Sequence, residues 1–117
     1  MPMADVTEAF RTLEALAASD RHEVRIAARD IYSSALDYIT ACAYHGANME
    51  LARSGMKSSE LLLAERERTR LGLESALQNA LTVMHQAGHT RYLPTTGDDI
   101  DTFAHALVMK VYEQRHL

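Results

Sequence analysis

Residues 24–45 read VRIAARDIYSSALDYITACAYH. Within this stretch Val24, Ala28, Ile31, Ala35, Tyr38 and Cys42 recur at alternating steps of four and three. Such steps return to one side of an α-helix once per turn, so they predict a helix with one apolar face. A second row, Tyr32, Leu36, Ile39 and Ala43, widens that face. A wide face needs more than one neighbour to cover it.

The pattern recurs along the chain. Leu73, Leu77, Ala80, Met84 and Ala87 form a second stripe, and Ile100, Phe103, Ala104, Leu107 and Val111 a third. Upstream, Val6, Phe10, Leu13, Leu16 and Ala17 give a shorter one. Stripes of this kind are buried by packing helix on helix. The expectation is a single all-α domain over residues 1–117, an antiparallel bundle of four main helices with room for a short fifth.

Local signals set the expected boundaries. Asp5 with Glu8, and Asp20 with Glu23, read as capping boxes that open helices over residues 6–18 and 21–45. Gly46 is the expected stop of the second helix, and residues 48–53 a short extra turn before Ser54-Gly55. Ser58 or Ser59 caps the third helix, which reaches residue 87, with Gly88 as its terminator. Pro94, the paired threonines and Gly97 mark a loop, and Thr96 or Asp98 caps the last helix. Asp98, Asp99 and Asp101 suit the positive end of that helix, and Lys110 and Arg115 its negative end.

Bulk composition excludes several classes. Hydrophobic residues make up 47%, enough for a core, and charged residues 24%, which is ordinary for a globular chain and too few for a disordered one. The net charge of -4 argues against a surface that grips nucleic acid throughout. Cys42 is the only cysteine, so no internal disulfide can form. No apolar run is long enough to span a bilayer, and the first residues lack the pattern of a signal peptide. These readings point to a cytoplasmic protein of bacterial, phage or mobile-element origin, with neither membrane nor nucleic acid as its partner.

Candidate chemistry is sparse. His85 and His89 are four residues apart, and Cys42 and His45 three apart, both spacings able to aim two metal ligands from one helix face. Together they outline an alternative reading: a zinc- or small-ligand-binding helical protein or enzyme. Against it, antiparallel neighbours put the two pairs at opposite poles, Gly88 breaks the helix before His89, and Cys42 belongs to the apolar stripe, where a thiol behaves as a small hydrophobe. The leading expectation therefore carries no cofactor. The lone Glu-x-x-His unit, Glu113 to His116, is half of what a di-iron bundle needs. Cys42 beside His45 lacks a substrate cleft and an oxyanion site, and no glycine-rich loop follows a strand. The Asp98, Asp99 and Asp101 cluster lacks the rest of a calcium loop.

Helical ribonuclease toxins are similar in size and helicity, but Arg11, Arg53, Arg66 and Arg70 have no His at the offset those enzymes use. In the run Arg66-Arg68-Arg70, with Arg53 and Lys57 upstream, residues two apart diverge around the helix, and Glu65 and Glu67 would repel a phosphate backbone. A solvated face with Glu65–Arg68 and Glu67–Arg70 pairs is expected there. Three consecutive leucines, Leu61, Leu62 and Leu63, precede it and cannot all enter one core. The leading functional expectation is thus a non-enzymatic module that binds another protein, or itself as a homodimer. It would act through an exposed helix face comprising Leu61, Leu62, Leu63, Glu65, Arg66 and Arg70.

Residues 65–87, a loop, and then Asp99-Ile100-x-x-Phe103-Ala104-x-x-Leu107-Val108 resemble a family of small helical bacterial proteins known as domain of unknown function three-two-three-two. The resemblance covers about the C-terminal half. It implies an all-helical fold and a bacterial or mobile-element origin, and brings no activity or catalytic residue with it.

Overall fold

The computed structural model describes residues 2–55 and 60–115. It contains four helices: α1 (Pro2–Ala17), α2 (His22–Arg53), α3 (Glu60–Gln86) and α4 (Gly97–Arg115). No strand occurs among the described residues. The all-α bundle expected from the stripes is the architecture found. The caps expected at Ser58 or Ser59, together with Lys57 and His116, lie outside the described residues.

Several boundaries differ from expectation. α1 already starts at Pro2, whose missing N–H costs nothing in a first turn, so Asp5 lies inside the helix instead of capping it. The N-cap of α2 is Arg21, in extended conformation and without a side-chain cap, so Asp20 sits one position too early. Ser19 takes over part of that role: its Oγ accepts the Arg21 N–H at 3.1 Å, and its carbonyl accepts from the Arg25 guanidinium at 2.8 Å. Thr96, not Asp98, stands at the cap of α4, its carbonyl accepting the Ile100 N–H at 2.9 Å.

The largest correction concerns Gly46. α2 runs straight through it for 32 residues, and the separate turn at residues 48–53 is part of the same helix. A mid-helix glycine costs roughly 0.5–1 kcal/mol, which packing along the rest of a long helix readily offsets. Half-buried Cys42, His45, Asn48 and Ala52 carry the three-and-four spacing past the glycine.

Gly88 does terminate α3. It takes φ +82, and its N–H reaches the His85 carbonyl at 3.1 Å while the His89 N–H reaches that of Met84 at 2.9 Å. These two bonds make a Schellman motif, which requires the left-handed conformation glycine adopts without strain.

α2 is the central helix, and α1, α3 and α4 all run opposite to it. Asp30, Ser33 and Ser34 share a shallow depression with Gly72, Ser75, Ala76 and Asn79, while Arg66 lies beside Tyr38 and Cys42, so α2 and α3 are antiparallel. Asp101 meets Tyr38, and Leu107, Val108 and Val111 line a cleft with Tyr32 and Leu36, so α4 is antiparallel to α2 as well. Along α1, Phe10 packs on Phe103 (ring centroids 6.0 Å) and Glu14 pairs with Lys110 (3.3 Å), a parallel arrangement with α4.

Two parallel helices in succession, α3 and α4, need a connection that returns along the molecule. Residues 87–96 provide it, and the buried Leu93 and Pro94 pin it to the core.

The core does not fill the whole length. Buried residues of α2 run from Val24 to Ala41, and those of α3 from Thr69 to Met84. None of the described residues 42–55 or 60–68 is buried. The ends of α2 and α3 therefore form an arm beyond the four-helix body, and the molecule measures 54 × 30 × 27 Å. Its radius of gyration, 15.7 Å, exceeds the about 13 Å of a compact chain of this size.

Candidate functional site

At the root of the arm, polar groups from three helices meet. The Tyr38 hydroxyl donates to Asp101 Oδ1 at 2.7 Å. Arg70 Nε lies 3.6 Å from the same carboxylate oxygen, and Arg70 Nη1 lies 3.7 Å from Glu74. Arg66 sits beside the Cys42 thiol and the Tyr38 hydroxyl, contacts that hold its guanidinium above its ordinary range. Burial first, then the bond to Asp101, pushes the Tyr38 phenol well above the usual tyrosine range. For Arg70 burial opposes the charge, but Asp101 and Glu74 outweigh it and raise the guanidinium.

This junction is internally compensated. Arg70 faces carboxylates already in place, and the nearby Thr69 hydroxyl returns to the helix carbonyls of Glu65 and Arg66, both at 2.9 Å. No buried side-chain nitrogen or oxygen among the described residues lacks a hydrogen-bond partner. A network satisfied in this way locks three helices together. Cys42 and His45 line none of the three main clefts.

The two proposed ligand pairs stay apart. Cys42 lies beside Arg66, whereas His85 is nineteen residues further along α3, about 28 Å at 1.5 Å per residue. His85 and His89 are both exposed, with the α3 terminus between them. Among the described residues no three His, Cys, Asp or Glu side chains converge to hold a metal ion. No described helix is long and apolar enough to cross a membrane.

The residues expected to mediate interaction fall into two groups. Leu61 is 81% exposed and Leu63 44%, while Leu62 is half-buried. Glu65 is clasped by Arg68, which keeps its carboxyl below the usual range. Arg66 and Arg70 belong to the junction, and Arg70 pairs with Glu74 and Asp101 instead of Glu67. The arm thus presents leucines, while Arg66 and Arg70 lie at its root.

A further set of exposed apolar residues lies along α2, on both sides of Gly46. Leu36 is 55% exposed, Tyr44 63% and Leu51 49%, all on the one continuous α2. Of the row expected to widen the buried face, only Tyr32 and Ile39 pack against the core, and Leu36 and Ala43 are exposed. Leu36 also edges a cleft of about 630 Å³ between α1, α2 and α4, walled by Phe10, Leu13, Tyr32, Leu107 and Val111. Lys110 closes one side of this cleft, lying 4.6 Å over the Phe10 ring and 3.3 Å from Glu14. Burial first, then the Glu14 charge, raises the Tyr32 phenol.

Comparisons with protein-family models, with curated proteins and with solved structures found no match.

Proposed function

We propose that this chain is a non-enzymatic protein–protein interaction module that works through the arm formed by the outer parts of α2 and α3. One observation carries the reading. Among its described residues the arm has none that is buried, yet it exposes Tyr44, Met49, Leu51, Leu61 and Leu63 within a short length of two helices. Apolar side chains scattered singly over a surface need no explanation, whereas a cluster on a projecting element marks a contact surface. The hydrogen-bonded junction at its root supports the same view, because it stiffens the arm.

A cytoplasmic setting in a bacterium, phage or plasmid belongs to the same reading. It draws on the single cysteine and on the family resemblance over the C-terminal half.

The test is site-specific photo-crosslinking in cells that make the protein. Benzoylphenylalanine is placed at Tyr44, Leu51 or Leu61 on the arm, and at Asn79 or His105 on the body. Protein adducts confined to the arm positions, whatever the captured chain, support the module. Equal or absent adducts at all five positions overturn it.

A further inference from the structure

The cleft between α1, α2 and α4 lies on the body, apart from the arm. Its volume, about 630 Å³, falls within the range of small-molecule sites, roughly 300–1,000 Å³. The lining is mostly hydrocarbon: Leu13, Leu107, Val108 and Val111, with the rings of Phe10 and Tyr32. Two charged side chains line it, Glu14 on α1 and Lys110 on α4, while its α2 side, Tyr32, Ser33 and Leu36, is uncharged.

The two charges are not equivalent. The Lys110 ammonium lies 4.6 Å over the Phe10 ring and its side chain is 37% exposed, whereas the Glu14 side chain is 67% exposed. The cation is seated on the cleft wall, and the anion reaches it from solvent. An ammonium has three N–H donors, and Glu14 Oε1 accepts one of them at 3.3 Å. An ion pair so open to water contributes little, so Glu14 is easily exchanged or joined by another anion. Tyr32 adds a donor to the lining: burial first, then the Glu14 charge, raises its phenol, which stays protonated through neutral pH.

From this complementarity we infer that the cleft binds an amphipathic monocarboxylate, its apolar body between the three helices and its carboxylate on the Lys110 ammonium. An organic cation fits less well, because it would have to displace an ammonium that is tethered in place. A phosphate or a small dicarboxylate has no apolar body to set against the leucines and valines. A neutral amphiphile gains nothing from the charge. A fatty acid and an aryl-substituted acid share the required chemistry, and the shape of the body distinguishes them.

Isothermal titration of the full chain with decanoate, and separately with 4-phenylbutyrate, measures the binding, and backbone amide NMR shifts locate it. Saturable binding of at least one of them, with shifts centred on the cleft-lining turns of α1, α2 and α4, is the expected result, and the tighter probe names the body. Lys110→Met keeps an unbranched stem and loses the charge, so it should weaken that binding by about tenfold or more. Glu14→Gln removes the competing anion and should tighten it by about twofold or more. Helical circular dichroism is the folding control for both. Decanol and decyltrimethylammonium carry the decanoate chain without its carboxylate and should bind at least about tenfold more weakly than decanoate.

No saturable binding of either carboxylate up to about 1 mM overturns the inference, as do amide shifts centred away from the cleft. Decanol binding as tightly as decanoate overturns it too, and decyltrimethylammonium binding more tightly would make the cleft a cation site held by Glu14. A helical Lys110→Met variant with wild-type affinity has the same consequence. If that variant loses its helicity, the comparison of decanoate with decanol decides. The arm takes no part in this site, so the titration and the crosslinking from the arm succeed or fail separately.

Discussion

The Tyr38 hydroxyl donates to Asp101 Oδ1 at 2.7 Å across 63 residues of sequence, tying the middle of α2 to the first turns of α4. Burial, and then this bond, hold the phenol in its protonated form, so the folded state has a higher tyrosine pKa than the unfolded chain. The linked stability is fully present below the unfolded value, near 10, and is lost as pH rises from there toward the folded one. Thermal melts between pH 8 and 11 should show the wild type losing Tm above pH 10 more steeply than Tyr38→Phe. A variant with the same alkaline slope would place the lost stability elsewhere.

Arg70 approaches Gly97 so closely that its guanidinium occupies the space a Cβ there would need. Arg70 is also held by Asp101 and Glu74, so it cannot swing aside without loosening both pairs. Gly97→Ala alone combines a helix-propensity gain with that loss, and the two should nearly cancel. In an Arg70→Ala background the space is free, and the same substitution should stabilise by about 0.5 kcal/mol. A double-mutant cycle from urea melts measures the difference, and zero coupling between the two positions would contradict the geometry.

The glycines at 46 and 88 should respond in opposite directions. Gly46 lies in the middle of α2 with open space where a Cβ would go, so Gly46→Ala should stabilise by roughly 0.5–1 kcal/mol. Gly88 holds φ +82 at the end of α3, a conformation that costs an L-residue roughly 1–2 kcal/mol, so Gly88→Ala should destabilise by about 1 kcal/mol. Chemical denaturation of both variants checks the signs. Two changes of the same sign would mean that α2 is not continuous or that the Schellman motif is not formed.

These glycines also show what the sequence could and could not reveal. The stripes of Val24 to Tyr38, Leu73 to Met84 and Ile100 to Leu107 name the core almost residue by residue, because helical periodicity and burial share one cause. Gly88 was legible because Met84 and Ala87 end a stripe just before it. Gly46 was misread because a glycine's local cost is small and its outcome depends on packing at Cys42, His45, Asn48 and Ala52.

The exposed leucines of α3 could be anticipated, since three in a row cannot share one face. The junction could not: Tyr38, Arg70 and Asp101 are far apart in the chain, and no local pattern joins them. The crossover of residues 87–96 was equally hidden, because a stripe records which face is buried and not which way the next helix runs.

Leu73 and Leu61 offer the sharpest separation of body from arm. They belong to one helix and are chemically identical, but Leu73 is fully buried and Leu61 is 81% exposed. Leu73→Ala removes three side-chain carbons, Cγ and its two methyls, from a packed interior and leaves a cavity against the α2 face, a change that costs about 2–5 kcal/mol. Leu61→Ala removes the same atoms from solvent and should move stability by less than about 0.5 kcal/mol. Both are measured by urea denaturation at one low protein concentration, so that self-association contributes equally little to each. A large loss from Leu61→Ala under those conditions would mean that the outer end of α3 is packed within the single chain, and the arm would then have no free apolar surface there to offer a partner.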